Sequence, residues 1–276
     1  MTGESQAVPA AASGEPHIDK DVARAARVYD YLLGGVDNFA VDREFAARMY
    51  ANAGGVEQAR KRVRAQRDFI VRAVRFLAGE VGIRQFLDLG TGIPNADDVH
   101  DVARRTAPDS RVVYVDHDPV VLAHSHTLRA CGDQGAAAFV YGDMHHHQDI
   151  LAKAAETLDL GEPTALVFAG VLHHFRDDED PQAMVRHYLD AVPSGSYLVL
   201  DNIGKEREES AKLGEVMRDP QGAEFTLVPR SRAELEPFFA GVELVEPGLV
   251  FVDHWRPDGP LPEYETRHPC GVGRKP

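Results

Sequence analysis

Hydrophobic and polar positions follow two different patterns along this chain, with a change near residue 83. In the first part, apolar residues recur every three or four positions, which predicts helices. A first helix is predicted from a cap at Asp19 to a stop at Gly34 and Gly35, followed by a short mixed segment, Val36 to Tyr50, and a long helix, Val56 to Gly79.

After residue 83, short apolar runs alternate with helical segments. The predicted strands are 84–89, 111–116, 137–141, 165–169 and 197–201, and the predicted helices are 96–106, 119–130, 149–158 and 181–191. This alternation is typical of repeated βαβ units, so we expect an α/β fold with a mainly parallel sheet and helices on both faces. Near the end, Ser231 and Glu234 match a capping box, and short apolar stretches at 242–245, 249–252 and 271–273 surround a turn at 247–248.

The long N-terminal helix carries a row of basic residues opposite its apolar face: Arg60, Lys61, Arg64, Arg67, Arg72 and Arg75. Such a row usually forms a solvated helix face. We therefore predict a solvated face here, in preference to a docking site for an anionic substrate.

Composition and charge exclude several classes of protein. Hydrophobic residues make up 43% and charged residues 27% of the 276 positions, which is ordinary for a globular domain. The net charge of −14 disfavours nucleic acid as a partner. No stretch is long and apolar enough for a membrane helix. Cys131 and Cys270 form no Cys-x-x-Cys pair, and residues 1–16 resemble a mobile tail more than a signal peptide, so we expect a cytoplasmic protein.

The most informative segment is FLDLGTGIPNADDV, where a strand ends in Asp88, Gly90 and Gly92 and a helix begins after Pro94. Glycines at such a turn let a ligand approach the backbone and allow positive φ. Alone, the turn could be only structural.

Acidic residues at the ends of the next two strands make a nucleotide site more specific. The strand RVVYVD ends in Asp116, where a carboxylate can accept hydrogen bonds from both ribose hydroxyls, although Asp116 could also cap the helix at Pro119. Asp143 could accept a hydrogen bond from an adenine amino group, with Met144 packed against the ring.

Charge separates the candidate ligands. A dinucleotide favours a third glycine and free N–H groups at the helix start, whereas this chain has Pro94 there and Asp97 and Asp98 in the next turn. The acidic setting suits the positive sulfur of S-adenosylmethionine better than the diphosphate of NAD.

These residues resemble a class I S-adenosylmethionine-dependent methyltransferase, through DLGTG at 88–92, YVDHDP at 114–119, YGDM at 141–144 and LVFAGVLHHF at 166–175. More closely, DVARAARVYDYLLGGVDNFAVDRE at 21–44 and the ending GVGRKP resemble a bacterial S-adenosyl methyltransferase family of unassigned substrate. The resemblance implies a Rossmann-like, seven-stranded sheet with one antiparallel strand, supplied by 249–252 or, as we favour, by 270–274. It also implies an N-terminal helical extension or lid, 17–80, and a cofactor-binding domain, 81–276.

The resemblance also implies roles for single residues. Gly90 and Gly92 would line the methionine moiety, with Asp88 holding the loop. Asp116 would bind the ribose, and His117 would lie beside the adenine, whose pocket Asp143 and Met144 would close. Ala169 and Gly170 would face the sulfonium. The departure from the pattern is Pro94, which replaces a third small residue.

Methyl transfer from a sulfonium mainly requires alignment of the reactants, and a hydroxyl acceptor also needs a base. His173 and His174, just after the fourth strand, are the best-placed candidates, although they could simply pack under the loop. The run His145–His147 is not expected to bind a metal, because consecutive side chains do not easily converge on one ion.

Tyr31, Gly34 and Asn38 could form a lid over the cofactor or acceptor, or Gly34 could be only a helix cap. The favoured function is methyl transfer to an unidentified small molecule. An NAD-linked oxidoreductase and a non-catalytic S-adenosylmethionine-binding module are the alternatives, and the oligomeric state is open.

Overall fold

The computed structural model describes residues 18–94, 97–130, 137–206, 208, 217–218, 224–263 and 265–276. The predicted tail 1–16, the predicted helix start at Ala96 and Cys131 lie outside these residues. The helices are α1 (Ala25–Leu33), α2 (Ala40–Tyr50), α3 (Gly55–Phe76), α4 (Val99–Thr106), α5 (Pro119–Ala130), α6 (His147–Ala154), α7 (Pro181–Asp190) and α8 (Arg232–Leu235).

The strands of the main sheet are β1 (Gln85–Leu89), β2 (Arg111–Asp116), β3 (Ala137–Tyr141), β4 (Ala165–Phe168), β5 (Tyr197–Asp201), β8 (Glu243–Leu244), β9 (Val250–Phe251) and β10 (Pro269–Arg274). A separate hairpin pairs β6 (Met217–Arg218) with β7 (Glu224–Phe225). The main sheet has the order β3-β2-β1-β4-β5-β10-β8, with β9 also paired to β10. Strands β1 to β5 are mutually parallel, whereas β10 is antiparallel to β5, β8 and β9. The predicted α/β class and the final strand as the antiparallel one are confirmed. The described residues form an eight-stranded sheet, one strand more than predicted, because both β8 and β9 pair with β10.

Alternating residues of the central strands supply two hydrophobic cores, one on each face of the sheet. Phe86, Val112 and Val167 pack on the face covered by α3, α4 and α5. Leu87 and Val113 pack on the other face, against α6 and α7. Because both faces are covered, the strands are almost wholly apolar, as parallel strands of this fold class usually are.

A third core joins the N-terminal helices to the rest of the molecule. Leu32 of α1, Phe45 of α2 and Val63 of α3 pack together with Ile203 and Leu227, which follow β5 in the chain. This contact places the N-terminal helices against the segments at the carboxyl end of the sheet. Within the described residues, no helix is long and apolar enough to cross a membrane.

The predicted start of the first helix was wrong. Asp19 does not cap it, because α1 begins at Ala25. The guanidinium of buried Arg27 donates hydrogen bonds to the carbonyls of Asp19, at 2.8 Å, and Val22, and so takes up acceptors that a helix through these residues would use. The predicted stop is correct, since Gly34 ends α1 with a φ of 91°.

The predicted solvated face of α3 was wrong in part. Lys61, Arg64 and Arg75 are exposed, but Arg67 and Arg72 are not. Arg72 donates to the carbonyls of Val252 at 2.6 Å and Trp255 at 2.9 Å. Long basic side chains can satisfy loop carbonyls that pack over a helix, and the helical pattern alone does not reveal those loops.

Candidate active site

A cavity of about 550 Å³ opens at the carboxyl ends of β1 to β4. Its walls are the loops that follow these strands, and residues 22–26 and Tyr29 close it from the N-terminal side. In open α/β sheets, ligands bind at this edge. The structure brings nine predicted cofactor residues to this one cavity: Asp88, Gly90, Gly92, Asp116, His117, Asp143, Met144, Ala169 and Gly170. The two predicted catalytic residues, His173 and His174, also line it.

The glycine loop turns sharply after β1. The amide nitrogens of Gly90 and Thr91 donate to the carbonyl of Val115, at 2.9 and 3.2 Å. Gly90 and Gly92 have φ values of 78° and 71°, which favour glycine. The two differ in their surroundings, because a Cβ at Gly90 would lie 2.7 Å from Val171 Cβ, whereas one at Gly92 would have nothing within 4 Å. Gly90 is therefore needed for packing, and Gly92 leaves open space in the cavity.

This difference predicts opposite effects of two alanine substitutions. Gly90→Ala should lower the free energy of unfolding by about 2–4 kcal/mol, since it combines a left-handed φ with overlap on Val171. Gly92→Ala should cost only about 1 kcal/mol, but it should weaken cofactor binding because its methyl group enters the cavity. Urea unfolding and calorimetric titration of both variants measure the two effects. Equal losses of stability would contradict this account of the loop.

Asp116 lies at the end of β2 and is almost fully buried. One carboxylate oxygen accepts a hydrogen bond from Gly92 N at 2.8 Å, and the other accepts from Asp118 N at 2.9 Å. Burial raises the pKa of Asp116, while these two backbone bonds oppose the rise. The carboxylate thus links the glycine loop to the start of α5, and each oxygen keeps a lone pair for a ligand hydroxyl.

The loop after β3 supplies a further carboxylate. Asp143 accepts hydrogen bonds from the backbone nitrogen and from ring Nδ1 of His145, both at 2.9 Å. Burial raises the pKa of Asp143, but the bonds to His145 outweigh it and hold the value below its usual range. Asp143 is therefore ionised at neutral pH. Met144 is buried beside it, and His117 is exposed at the rim.

Arg67 reaches the same cavity from α3, although the sequence analysis placed it on a solvated face. Its Nη2 atom lies 2.6 Å from the Asp98 carboxylate and 2.9 Å from the carbonyl of Asp97. Burial raises the pKa of Asp88 to about 7, even though the positive charge of Arg67 opposes the rise. Arg67 lies four residues after Val63 and three before Ile70, so the helical period puts it on the same side of α3 as these apolar positions. This spacing could have indicated that Arg67 is not on the solvated face.

The fourth strand ends at Ala169 and Gly170, which a buried pair of side chains holds in place. Asp201, at the end of β5, accepts hydrogen bonds from Gly170 N at 2.7 Å and from the side-chain amide of Gln66. Burial raises the pKa of Asp201 to about 6. Gly170 has a φ of 74°, and a Cβ there would lie 3.1 Å from Gln66 Nε2. Neither Asp201 nor Gln66 was predicted as a site residue from the sequence.

His173 and His174 form a single turn after β4, and their ring centroids are 4.3 Å apart. Nδ1 of His174 lies 3.1 Å from the carbonyl of Thr226. Since a carbonyl only accepts hydrogen bonds, Nδ1 carries the proton in the neutral ring and Nε2 is the free acceptor. Burial lowers the pKa of His174 to about 4 and that of His173 well below its usual value. Both rings are neutral at pH 7.

The three residues predicted as a lid do not line this cavity. Asn38 donates from Nδ2 to Asp30 Oδ2 at 2.7 Å, and Tyr31 lies under the guanidinium of Arg60, at 5.0 Å. Gly34 is the helix stop, and a Cβ at Gly35 would collide with the Asp30 carboxylate. The distinctive glycine and asparagine residues build a turn around Asp30 and do not reach the cavity. Residues 22–26 and Tyr29, which come earlier in the chain, line the cavity instead.

The histidine run separates into different contacts. His145 is bound to Asp143, and His147 stacks on His187 with ring centroids 4.3 Å apart. Within the described residues, no group of three or more His, Cys, Asp or Glu side chains could hold a metal ion.

The charges around the cavity fit a positively charged ligand. Five acidic residues line it, namely Asp88, Asp116, Asp118, Asp143 and Glu179, together with two arginines, Arg24 and Arg67. Asp116, at the end of β2, offers hydrogen-bond acceptors for a sugar. Buried Met144, after β3, offers an apolar surface for a base, and the open space at Gly92 leaves room for an amino-acid tail. The residues present therefore fit S-adenosylmethionine.

The fold and this site together define a nucleotide-binding α/β enzyme, a methyltransferase that depends on S-adenosylmethionine. The chain belongs to the S-adenosyl methyltransferase family, whose model matches residues 11–276. The predicted enzyme class and cofactor are thereby confirmed, and the NAD-linked alternative is set aside. The N-terminal motif as a mark of the family stays a prediction.

Two solved structures are similar over nearly the whole chain. One is a DUF574 family protein from Streptomyces avermitilis, with 38% identity over 94% of this chain and 100% of that one and a TM-score of 0.83. The other, from Thermobifida fusca and proposed to be a methyltransferase, has 36% identity over 93% of this chain and 96% of that one and a TM-score of 0.82. No curated protein matches.

Proposed function

We propose that this enzyme methylates a hydroxyl group of a small molecule, with His174 as the base that takes up the hydroxyl proton. The observation that carries this proposal is the hydrogen bond from His174 to the Thr226 carbonyl, because it leaves Nε2 unprotonated in a ring that lines the cavity. The proposed acceptor is small, since residues 22–26 and Tyr29 add a wall on the N-terminal side of a cavity of about 550 Å³ that must also hold the cofactor.

In this proposal the cofactor lies across the ends of β1 to β4. Asp116 binds the ribose hydroxyls, and Asp143 and Met144 bind the adenine with His117 at its edge. The backbone at Gly92 contacts the methionine part, while Gly90 and Asp88 hold the turn. Ala169 and Gly170, fixed by Asp201, border the side where the sulfur lies.

Arg67 is proposed to bind the carboxylate of the methionine part. The positive charge of its guanidinium acts on Asp88 at the glycine loop, and its ion pair with Asp98 holds it in the cavity wall. A guanidinium can bind two carboxylates at once, because its five N–H donors form a planar fork.

A pair of ligands tests this role of Arg67. Arg67→Met should weaken binding of S-adenosylhomocysteine about tenfold, because a charge-assisted hydrogen bond contributes about 1.5 kcal/mol or more. Binding of methylthioadenosine, which lacks the amino acid, should change less than threefold. Calorimetric titration measures both. Equal weakening of the two ligands would show that Arg67 acts only on the structure of the site.

When bound, S-adenosylmethionine supplies an activated methyl group on a positively charged sulfur. The acceptor oxygen would form its new bond to that methyl carbon with a lone pair, and the electron pair of the broken carbon–sulfur bond would stay on sulfur. Nε2 of His174 would take up the acceptor proton, so the positive charge would move from the sulfur to the imidazole. The buried walls exclude water, which would otherwise compete as acceptor.

The proposed function is tested with methyl-labelled S-adenosylmethionine and three acceptor pools: small hydroxylated compounds, unfolded protein and RNA. Label should appear in the small-molecule pool and should be lost when the hydroxyl compounds are replaced by their deoxy analogues. Label in protein or RNA alone would refute a small-molecule acceptor.

A further inference from the structure

A second, smaller cavity lies beside the first, between the N-terminal helices and the segments after β4 and β5. The two cavities share four lining residues: Ala25, Tyr29, His173 and His174. The histidines proposed to handle the acceptor proton therefore stand at the junction between them. The second cavity has a volume of about 50 Å³, which is room for a few water molecules or for one end of an organic compound that extends through the junction into the first cavity.

Buried polar atoms in this cavity lack partners. Nδ1 of His173 and both ring nitrogens of His268 have no hydrogen-bond partner among the described residues, and the two side chains are 7% and 4% exposed. An unpartnered buried nitrogen costs about 1–3 kcal/mol. Such groups are expected where a ligand completes the hydrogen bonding. The rest of the wall is mainly apolar, including Leu32, Val63 and Leu227.

The two cavities differ in charge. Five acidic residues line the first, whereas none of the described residues that line the second is acidic, and Arg62 is among them. Burial and then the positive charge of Arg62 lower the pKa of His268 to about 3. This end of the cavity therefore combines the positive side chain of Arg62, whose Nη2 also donates to the carbonyl of Ala53, with a neutral imidazole that can donate one hydrogen bond. It favours an anionic group over a cationic one.

We propose that the second cavity binds one end of the methyl acceptor and that the acceptor is a small hydroxy acid. Its hydroxyl lies at the junction, beside His173 and His174, and its carboxylate enters the second cavity beside Arg62 and His268. This inference rests on the proposed function, because the methyl group must enter the junction from a cofactor in the first cavity. It adds the charge at the far end of the acceptor.

Three probes of similar size test this inference by binding: 4-hydroxybenzoate, 4-hydroxybenzyl alcohol and 4-hydroxybenzylamine, which share the phenol and carry an anionic, a neutral and a cationic group opposite the hydroxyl. Each is titrated by calorimetry into the protein saturated with S-adenosylhomocysteine. We expect the benzoate to bind at least tenfold more tightly than the amine, with the alcohol between them. Failure of S-adenosylhomocysteine to bind would refute the proposed function. Normal binding of it, with no binding of the benzoate or no preference over the amine, would overturn this inference alone.

Substitutions then locate the probe. His268→Phe fills the part of the second cavity that is proposed to bind the carboxylate, and it removes the hydrogen-bond donor there. The affinity for 4-hydroxybenzoate should therefore fall at least tenfold, while the affinity for S-adenosylhomocysteine should stay within threefold. Leu227→Phe fills the same cavity from its apolar wall and should have the same effect if the first variant does not fold. His187→Phe, at an exposed position on α7, is the matched control and should change neither affinity. Unchanged benzoate affinity in either folded cavity variant would overturn the inference.

Discussion

Replacing Asp116 with alanine should raise the Kd for S-adenosylhomocysteine by about 100-fold. Two hydrogen bonds from ribose hydroxyls to a buried carboxylate are lost, at about 1.5 kcal/mol or more each, which gives roughly 3 kcal/mol in total. The same carboxylate holds Gly92 N at 2.8 Å, so the loop that faces the amino-acid part loosens as well. Calorimetric titration measures the affinity directly, independent of any methyl acceptor.

Two further variants separate ligand binding from loop structure. Asp116→Asn keeps one hydrogen-bond acceptor and should give a Kd between those of the wild type and the alanine variant. Asp190→Asn removes an exposed carboxylate at the end of α7 and should leave the Kd unchanged. A Kd for Asp116→Ala within threefold of the wild type would contradict the ribose-binding role.

Most of the central sheet could be predicted because burial on both faces leaves a simple signal. Each of the strands β1 to β5 is a short apolar run bounded by polar residues, and the structure places them within one residue of the predicted bounds. The N-terminal region was harder. The carbonyls between residues 18 and 24 bind a buried arginine, Arg27, and no local pattern shows that a cation will be buried there.

The site residues divide in the same way. The residues at the ends of β1, β2 and β3 could be predicted, because a glycine or a carboxylate directly after an apolar strand must lie at the sheet edge. Gln66, Arg67 and Asp201 were not predicted as site residues, because their roles depend on contacts between distant parts of the chain. Gln66 and Asp201, for example, are 135 positions apart. The glycine and asparagine residues around position 35 led to the lid hypothesis because they strongly predict a turn. A turn pattern does not show which part of the molecule the turn faces.

The arrangement of charge connects the two cavities to one reaction. The acidic first cavity stabilises a cation and the positive end of the second attracts an anion, so each reactant is favoured in one cavity and disfavoured in the other. The neutral histidines at the junction add no charge of their own before the reaction. Because burial lowers the pKa of His174 to about 4, its imidazolium is a strong acid and readily releases the acceptor proton once the methyl group has been transferred.

His174→Gln should lower kcat for a hydroxyl acceptor by about 100-fold, the lower range for loss of a general base. The substituted amide can replace the hydrogen bond to the Thr226 carbonyl but cannot take up a proton, so the loss reports proton transfer more than structure. The Kd for S-adenosylhomocysteine should stay within threefold. His173→Gln should act mainly on KM for the acceptor, because His173 lacks the bond that sets the tautomer.

The pH dependence gives the sharper test of His174. Burial lowers its pKa to about 4, so the neutral base is fully present from about pH 5.5 upward, and kcat of the wild type should not fall between pH 8 and pH 5.5 on account of this group. An ordinary histidine, with a pKa of about 6.5, would lose about nine-tenths of its base form at about pH 5.5. In His174→Gln, kcat should instead rise about tenfold per pH unit toward the pKa of the acceptor hydroxyl, since only the ionised acceptor reacts without a base. Parallel pH profiles of the wild type and the variant would rule out His174 as the base.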